Sequence, residues 1–275
     1  MLTSAVGFAI MNACAKEASP RLSFLQISFF RSAIGAIALF LFARWRGTPL
    51  VIHNRKILAL RALTGTVAIF FHFYSITHFP FSEVTALLNL TPMFVAILAA
   101  VWLKERVSFL LGSCLVIALG GVLLIARPDG SSAMGAASLI ALGAPAMSAI
   151  AMVSLRRLGS SENAESVVVY FFSIAATILG VLAAPTMLWP TFREAVLLLF
   201  TGLSAAIAQL TMTRAYAADR AARVGGLNYL NIVASVIVGW IAFRQFPDAL
   251  SLAGMTIIVL AGAGLLWTAR QEASS

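Results

Sequence analysis

The sequence predicts an all-α, polytopic membrane protein whose ten transmembrane helices form two inverted five-helix repeats. Composition is the first indication: the 275 residues are 61% hydrophobic and 11% charged, with a mean hydropathy of +0.96, whereas soluble domains carry roughly a quarter charged residues. Apolar runs of about 20 residues, separated by short polar segments, suit a bilayer core about 30 Å thick. A weak similarity between the two halves of the chain is the third indication.

Ten apolar runs are predicted to span the bilayer. The first run is short, but it has no basic segment before it, so we expect a membrane helix rather than a signal peptide. The predicted spans cover residues 2–15 (or 2–19, if the first run continues through Lys16 and Glu17), 22–43, 57–76, 82–103, 108–126, 134–153, 165–187, 194–213, 222–243 and 249–269. The first repeat is therefore expected at residues 1–126 and the second at 134–269, with a cytoplasmic tail at 270–275.

The distribution of cations predicts the orientation. With the N-terminus inside, 13 Lys and Arg residues, Arg61 among them, fall on the inner side and 5 on the outer side, and cytoplasmic loops carry the excess of cations. We therefore expect both termini in the cytoplasm and the protein in a bacterial inner membrane. The net charge of +9 is spread over short loops, so lipid headgroups are the expected partner and nucleic acid is not.

The internal repeat has an offset of 140 residues, which places Asn89 on Tyr229, Leu90 on Leu230 and Thr91 on Asn231. Because each copy contains an odd number of spans, the second copy must enter the membrane upside down. Many secondary transporters have this plan, with their binding sites near mid-membrane. Glycines spaced eight apart in each copy predict a face of close helix contact; they are Gly112, Gly120, Gly254 and Gly262.

Short motifs follow one another in order around the predicted helices. The first half contains Lys16 and Pro20, Phe30-Arg31, Tyr74-Ser75 before Phe79-Pro80, Leu90-Thr91-Pro92, Lys104-Glu105-Arg106-Val107-Ser108 and Gly120-Gly121, and the second half contains Arg214-Ala215-Tyr216 and Asn228-Tyr229-Leu230. This order resembles the EamA family of the drug/metabolite transporter superfamily. The resemblance implies a ten-helix carrier of small metabolites, and it also covers uptake carriers of the S-adenosylmethionine type. Gln245 differs from the Glu that the family often has there.

Arg31 is the clearest candidate for a substrate contact. It lies about nine residues into its span, roughly 13 Å from the end, which is too deep for comfortable snorkelling. Ser28 and Gly35 share its helix face. The side chain could anchor a substrate carboxylate, or it could pair with helix carbonyls or with Glu83.

Other polar residues near mid-span are candidates for the same site. A pseudo-two-fold axis would bring Asn89, Thr91, Tyr229 and Asn231 towards one cavity, although Asn and Thr also form structural interhelical hydrogen bonds. Further candidates for the pathway are Asn12, His72, Tyr74 and Gln209. Each of these could instead be a packing residue.

Gates are expected at both ends of the pathway. On the outer side the candidates are His78 and Glu83, although an acid at a helix start is also favoured by the helix dipole alone. Tyr216 is the inner candidate. Pro92 lacks an amide donor, so it should free a carbonyl near Leu88, which could face the substrate or kink the helix for gating.

The sequence favours a carrier over other functional classes. It contains no HExxH motif, nucleotide-binding glycine loop or metal-spaced cysteine pair, so we expect no enzyme, cofactor or metal site. One Arg with amides and aromatic rings suits an amphipathic, neutral or zwitterionic solute, such as an amino acid or a derivative, moved by an exporter, exchanger or facilitator. A channel or receptor subunit stays open as an alternative. We expect a monomer or homodimer.

Overall fold

The computed structural model describes residues 1–78, 88–105, 108–126, 136–159, 161–243 and 248–274, and every regular element in these ranges is helical. A 3-10 turn, Ala184–Thr186, follows the seventh helix. The helices are α1 (Leu2–Ala18), α2 (Phe24–Trp45), α3 (Arg55–His78), α4 (Thr91–Trp102), α5 (Phe109–Ala126), α6 (Ala136–Leu158), α7 (Ala164–Ala183), α8 (Phe192–Ala218), α9 (Ala221–Leu227), α10 (Leu230–Phe243) and α11 (Ala249–Ser274).

Several helices differ in length from the predicted spans. The first continues past Lys16 to Ala18, which agrees with the longer of its two predicted extents, and α8 extends beyond its predicted span at both ends. The last helix runs to Ser274, through residues expected to form a tail. These extensions carry polar residues, which hydropathy assigns to loops although they remain helical.

Helices of the described chain present apolar side chains outwards, as lipid contact requires. Ile37, Leu41 and Ile97 are exposed on their helices, and so are Ile207 and Ile241. By length and composition, four helical segments in the described ranges could cross a membrane, namely Phe24–Trp45, Ala164–Thr186, Phe192–Ala218 and Ala221–Val238. Shorter apolar helices accompany them at Thr91–Trp102, Phe109–Ile125 and Ala249–Gly264.

Side-chain caps fix where several helices begin. The hydroxyl of Ser23 accepts a hydrogen bond from the backbone of Gln26 at the start of α2. At the start of α8, Thr191 and Glu194 form a reciprocal capping box, and Arg21 reaches Glu194 at 2.7 Å. Since the first N–H groups of a helix have no internal partner, such caps hold the helix ends in place. The Arg21 contact also ties the turn between α1 and α2 to the start of α8.

The most extensive helix contacts join the first half of the chain to the second. They pair α2 with α7, α3 with α6, α1 with α8, α5 with α11, α1 with α10 and α2 with α8. Smaller contacts pair α4 with α9, α4 with α6 and α3 with α7. Neither half of the described chain therefore packs mainly on itself.

Two glycines make the closest crossing between α5 and α11. A Cβ on Gly121 would come within 2.7 Å of the carbonyl oxygen of Gly254, and a Cβ on Gly254 within 2.6 Å of the oxygen of Gly121. The prediction that Gly112 and Gly120 form this contact face is wrong, because a Cβ on either would meet no described atom within 4 Å. The contact lies one residue further along α5, on a different face.

The fourth and ninth predicted spans are both interrupted. Residues 89–90 form a turn before α4, and residues 228–229 form a turn between α9 and α10. Across the second turn, backbone bonds run from the amide of residue i to the carbonyl of residue i−3, as from Asn231 to Asn228 at 3.0 Å. Such a local change from α to 3-10 geometry often marks a hinge. The predicted span at 222–243 is therefore built from two helices, α9 and α10, rather than one.

Candidate functional site

A cavity of about 210 Å³ lies where the two halves of the chain meet. Helices α1, α2 and α3 line it from the first half. The second half contributes α6, α7, α8 and the segment joining α9 to α10. Among its polar lining residues are Asn12, Arg31, Arg61, His72, Gln209 and Asn231.

Arg31 reaches the cavity from α2 and is 6% exposed. Its guanidinium carbon lies 5.9 Å from the centre of the Phe172 ring. That ring packs against Gly35, where a Cβ would approach it to 2.8 Å. The Nε atom of Arg31 is buried without a hydrogen bond. The glycine therefore brings α2 close to α7 and sets the aromatic ring near the guanidinium.

Arg61 also faces the cavity and is 3% exposed. Its guanidinium carbon lies 4.1 Å from the centre of the Phe171 ring, which is a favourable cation–π distance. Its Nη2 atom donates to Oε1 of Gln209 at 3.3 Å, while its Nε atom is buried without a hydrogen bond. Counting Arg61 among the inner loop cations was wrong, because α3 begins at Arg55 and places Arg61 in its second turn, facing inwards.

One aromatic pair supports both arginines. The rings of Phe171 and Phe172 are stacked, with centres 5.4 Å apart and planes at 29°. Because the Arg31 guanidinium lies nearest Phe172 and the Arg61 guanidinium nearest Phe171, both cations are directed towards the same wall of α7. We call these two residues the aromatic pair.

No carboxylate in the described part of the chain forms an ion pair with Arg31 or Arg61. The acids there pair with other cations, as in Arg193–Glu17, Arg21–Glu194, Arg214–Glu165, Arg223–Asp219 and Arg156–Glu105. Glu83, which the sequence left open as a partner of Arg31, lies outside the described residues. Amide and aromatic groups thus surround the two positive charges.

Amide side chains from three helices complete the polar lining. Asn12, Gln209 and Asn231, all predicted from the sequence, line the cavity together with His72. The Oδ1 atom of Asn231 is buried without a hydrogen-bond partner, so it is an acceptor that a bound molecule could satisfy. Asn228, which was not predicted, lines the cavity from the turn before α10.

Three predicted site residues lie away from the cavity wall: Asn89, Thr91 and Tyr229. The hydroxyl of Thr91 donates to the carbonyl of Leu88 at 2.7 Å, and Tyr229 is buried in the core. The turns at 89–90 and 228–229 are related by 139 residues rather than 140, so Asn89 corresponds to Asn228. With this offset, Tyr229 no longer corresponds to Asn89, and it lies away from the cavity wall. The side chains of Tyr74 and His78 lie outside the described part.

Tyr216, a predicted inner gate, is completely buried beneath the cavity. Its hydroxyl lies 3.2 Å from Sδ of Met152, and Met152 lines the cavity. Beyond it, Oε1 of Glu105 accepts a hydrogen bond from the backbone of Ala221 at 3.2 Å and lies 3.5 Å from Nε of Arg156. This end of the cavity is therefore closed by Tyr216 and by the contacts of Glu105, just after α4, with α6 and the start of α9.

Comparison with known proteins identifies the family. A model of the EamA-like transporter family matches residues 1–127. The pseudopaline exporter CntI of Pseudomonas aeruginosa is 32% identical over 260 residues, which cover 92% of this chain and 90% of the relative. The chain belongs to the EamA-like transporter family. The predicted membership of the drug/metabolite transporter superfamily is thereby confirmed, and this EamA protein is a multi-pass integral membrane protein.

Other relatives of this EamA protein are also transporters. A riboflavin transporter of Vibrio cholerae is 26% identical over 94% of this chain and 89% of its own length. An S-adenosylmethionine uptake transporter of Rickettsia bellii is 23% identical over 99% and 94%, respectively. A solved crystal structure with 17% sequence identity covers 98% of both chains with a TM-score of 0.85, which shows that the fold is shared.

Besides Asn228, sequence reasoning missed Arg61 in this EamA protein. A signal was present, because Arg61 falls inside the predicted third span and lies four residues before Gly65. A cation near a span end usually reaches the headgroups, which is why Arg61 was assigned to a loop.

As for metal ions, the described residues contain no group of three His, Cys, Asp or Glu side chains able to bind one.

Proposed function

We propose that this protein is a secondary transporter that carries a small amphipathic metabolite, an amino acid or a derivative of one, by alternating access. The observation that carries the proposal is the central cavity, to which helices of both halves contribute polar side chains. A transporter of this kind holds its substrate at the interface of two repeats and moves the repeats around it.

The helix pairing supports an inverted repeat of residues 1–126 and 134–269. If α1, α2 and α3 correspond to α6, α7 and α8, the pairing of α3 with α6 has its counterpart in α8 with α1. In the same way the α2–α8 contact corresponds to the α7–α3 contact. The α2–α7 and α5–α11 contacts each join a helix to its own counterpart, as expected for helices on the pseudo-two-fold axis. The matched turns at 89–90 and 228–229 are a further correspondence.

The relatives support export as the direction. The pseudopaline exporter is 32% identical to this chain, whereas the S-adenosylmethionine uptake transporter is 23% identical. We place the protein in the cytoplasmic membrane with both termini inside, as the cation distribution predicts.

A metabolite screen followed by counterflow tests this proposal. A ligand at 100 times its Kd should stabilise the folded protein by about 2.7 kcal/mol, which thermal unfolding in nanodiscs detects. The best ligand, radiolabelled, should then accumulate transiently in proteoliposomes preloaded with the unlabelled compound. Asn231→Ala should reduce uptake, while Asn163→Ala, at an exposed loop position, should not. Linear, non-saturable flux would indicate a channel instead.

A further inference from the structure

Two positive charges in one cavity require a counter-charge. Arg31 and Arg61 are both more than nine-tenths buried, and neither forms an ion pair within the described ranges. Removing a charge from water without pairing it is costly, and like charges that face one cavity also repel each other. A negatively charged ligand would therefore stabilise the protein by pairing with these two buried cations.

The neighbours of the two guanidinium groups orient them without neutralising them. The aromatic pair occupies one face of each group, at 5.9 Å from Arg31 and 4.1 Å from Arg61. The side-chain oxygen of Gln209 accepts a hydrogen bond from one N–H group of Arg61. Because a guanidinium has five donors arranged in a planar fork, donors remain on both side chains for bidentate binding of an acidic group.

The rest of the cavity indicates what the acidic groups are attached to. Asn231 presents a buried oxygen without a hydrogen-bond donor, which an amine or hydroxyl of the ligand could fill. Met11, Ile69, Met152 and Met212 supply apolar walls, which suit a carbon skeleton. These features match an amphipathic molecule rather than an inorganic anion.

We propose that the cavity binds an organic molecule with two ionised acidic groups, here called the dianion for these two groups whatever its net charge. One acidic group would bind Arg31 and the other Arg61, and the two would flank a hydrogen-bond donor such as an amine. The inference rests on the proposed transport function and narrows its substrate class. It replaces the sequence-based expectation of a neutral or zwitterionic solute, because that expectation counted a single arginine in the membrane.

A charge series of small probes tests the inference in nanodiscs of neutral lipid at constant ionic strength. Glutamate carries two carboxylates and an amine, glutamine lacks one carboxylate, glutarate lacks the amine, and phosphoserine and inorganic phosphate separate carboxylate from phosphate recognition. We expect glutamate or phosphoserine to raise the Tm, and glutamine and inorganic phosphate to have little effect. Protection by glutamine equal to that by glutamate, or protection by none of glutamate, phosphoserine and glutarate, would overturn the proposal.

Variants separate a ligand contact from a structural role. Arg31→Gln and Arg61→Gln should each weaken binding of the dianion by roughly 30-fold or more, while Arg193→Gln, which removes an exposed cation paired with Glu17, should not. Without ligand, Arg61→Gln should melt at or above the wild-type Tm, because it removes a buried unpaired charge. A structural arginine would give a lower Tm with unchanged protection, and that result would contradict the proposal. If Arg61→Gln does not fold, Arg61→Lys takes its place in the experiment. It keeps the charge but loses the planar fork, so it should retain part of the binding.

Counterflow distinguishes failure of this inference from failure of the transport function. If a dianion binds through both arginines but does not exchange across the membrane of proteoliposomes, the inference about the binding site stands and the proposed transport function is refuted. Saturable exchange of a neutral solute, with no difference along the charge series, would preserve transport and refute the dianion.

Discussion

The placement of the Arg61 guanidinium depends on the absence of a side chain one helical turn away. A Cβ on Gly65 would overlap Nη1 of Arg61 and lie 2.9 Å from the ring of Phe171. Gly65 therefore lets the guanidinium lie between α3 and the aromatic pair. The glycine costs helix stability of roughly 0.5–1 kcal/mol relative to alanine, so its presence in a helix has a local reason.

Gly65→Ala is expected to displace the Arg61 guanidinium and weaken binding of the dianionic probe by roughly tenfold, or about 1.4 kcal/mol. Isothermal titration in nanodiscs measures the change. Gly112→Ala is the matched control, because a Cβ there meets no described atom within 4 Å. Equal affinity in the two variants would show that Arg61 does not contact the ligand.

At the residue scale, the sequence identified Arg31 because that residue lies deep in an apolar run, far from any headgroup. Arg61 lies near the start of its helix, where hydropathy cannot distinguish a side chain that reaches lipid headgroups from one that points inwards. That direction depends on the neighbouring helices, here on Phe171 and Gln209 from the second half. Contacts across roughly 100 residues or more of chain leave no local pattern.

The break before α4 has a local chemical cause. Pro92 has no N–H, so the carbonyl four residues earlier, that of Leu88, loses its helical partner. The sequence predicted this free carbonyl, and the structure shows that the hydroxyl of Thr91 takes its place as donor at 2.7 Å. The break in the ninth span contains no proline, so the same reasoning could not locate it.

Thr91→Val should leave the Leu88 carbonyl without this donor and lower the free energy of unfolding by about 1 kcal/mol, within the range measured for membrane hydrogen bonds. Thermal unfolding with matched lipid measures the loss. Thr64→Val is the control: its hydroxyl also donates to a carbonyl, that of Leu60 at 2.6 Å, but that carbonyl lies in an unbroken helix and keeps its backbone partner. Equal losses would mean that the break gains nothing from Thr91.

A second element-scale prediction concerns the crossing of α5 and α11. Gly121→Leu would force the helices apart, since Gly254 already lies at contact distance, and overpacking typically costs about 1–3 kcal/mol. Gly120→Leu, one residue earlier, points into open space and should leave the Tm nearly unchanged. Similar losses in the two variants would place the contact on the other face of α5. The sequence identified a glycine-rich face here but chose the wrong one, because adjacent glycines look alike to a spacing rule.

At the scale of the whole molecule, hydropathy predicted the all-helical membrane fold, and the division into two repeats stays a prediction; neither indicated which helices touch. The observed pairing interleaves the halves, so that α2 packs on α7 and α1 on α8. Because the strongest contacts cross between the halves, a small rotation of one half changes many of them together. Such an interface can hold two discrete arrangements.

The last prediction concerns the closed end of the cavity, where Glu105 holds the start of α9 and approaches Arg156. The cation distribution predicts that this end faces the cytoplasm. Glu105→Gln removes the charge while keeping a hydrogen-bond acceptor, so it should weaken the closed end. A loss of about 1 kcal/mol shifts the ratio of two states roughly fivefold.

Labelling of a cysteine in the cavity measures that shift. Met212→Cys lines the cavity and would be introduced after Cys14→Ser and Cys114→Ala, which remove both native thiols. With an impermeant thiol reagent, Glu105→Gln should raise the labelling rate from the cytoplasmic side and lower it from the opposite side, because the two openings exclude each other in a carrier. Glu17→Gln, which breaks an exposed pair with Arg193, should change neither rate, since exposed ion pairs contribute little. If the rates from both sides rose together, the cavity would be open at both ends at once, and the protein would conduct as a channel.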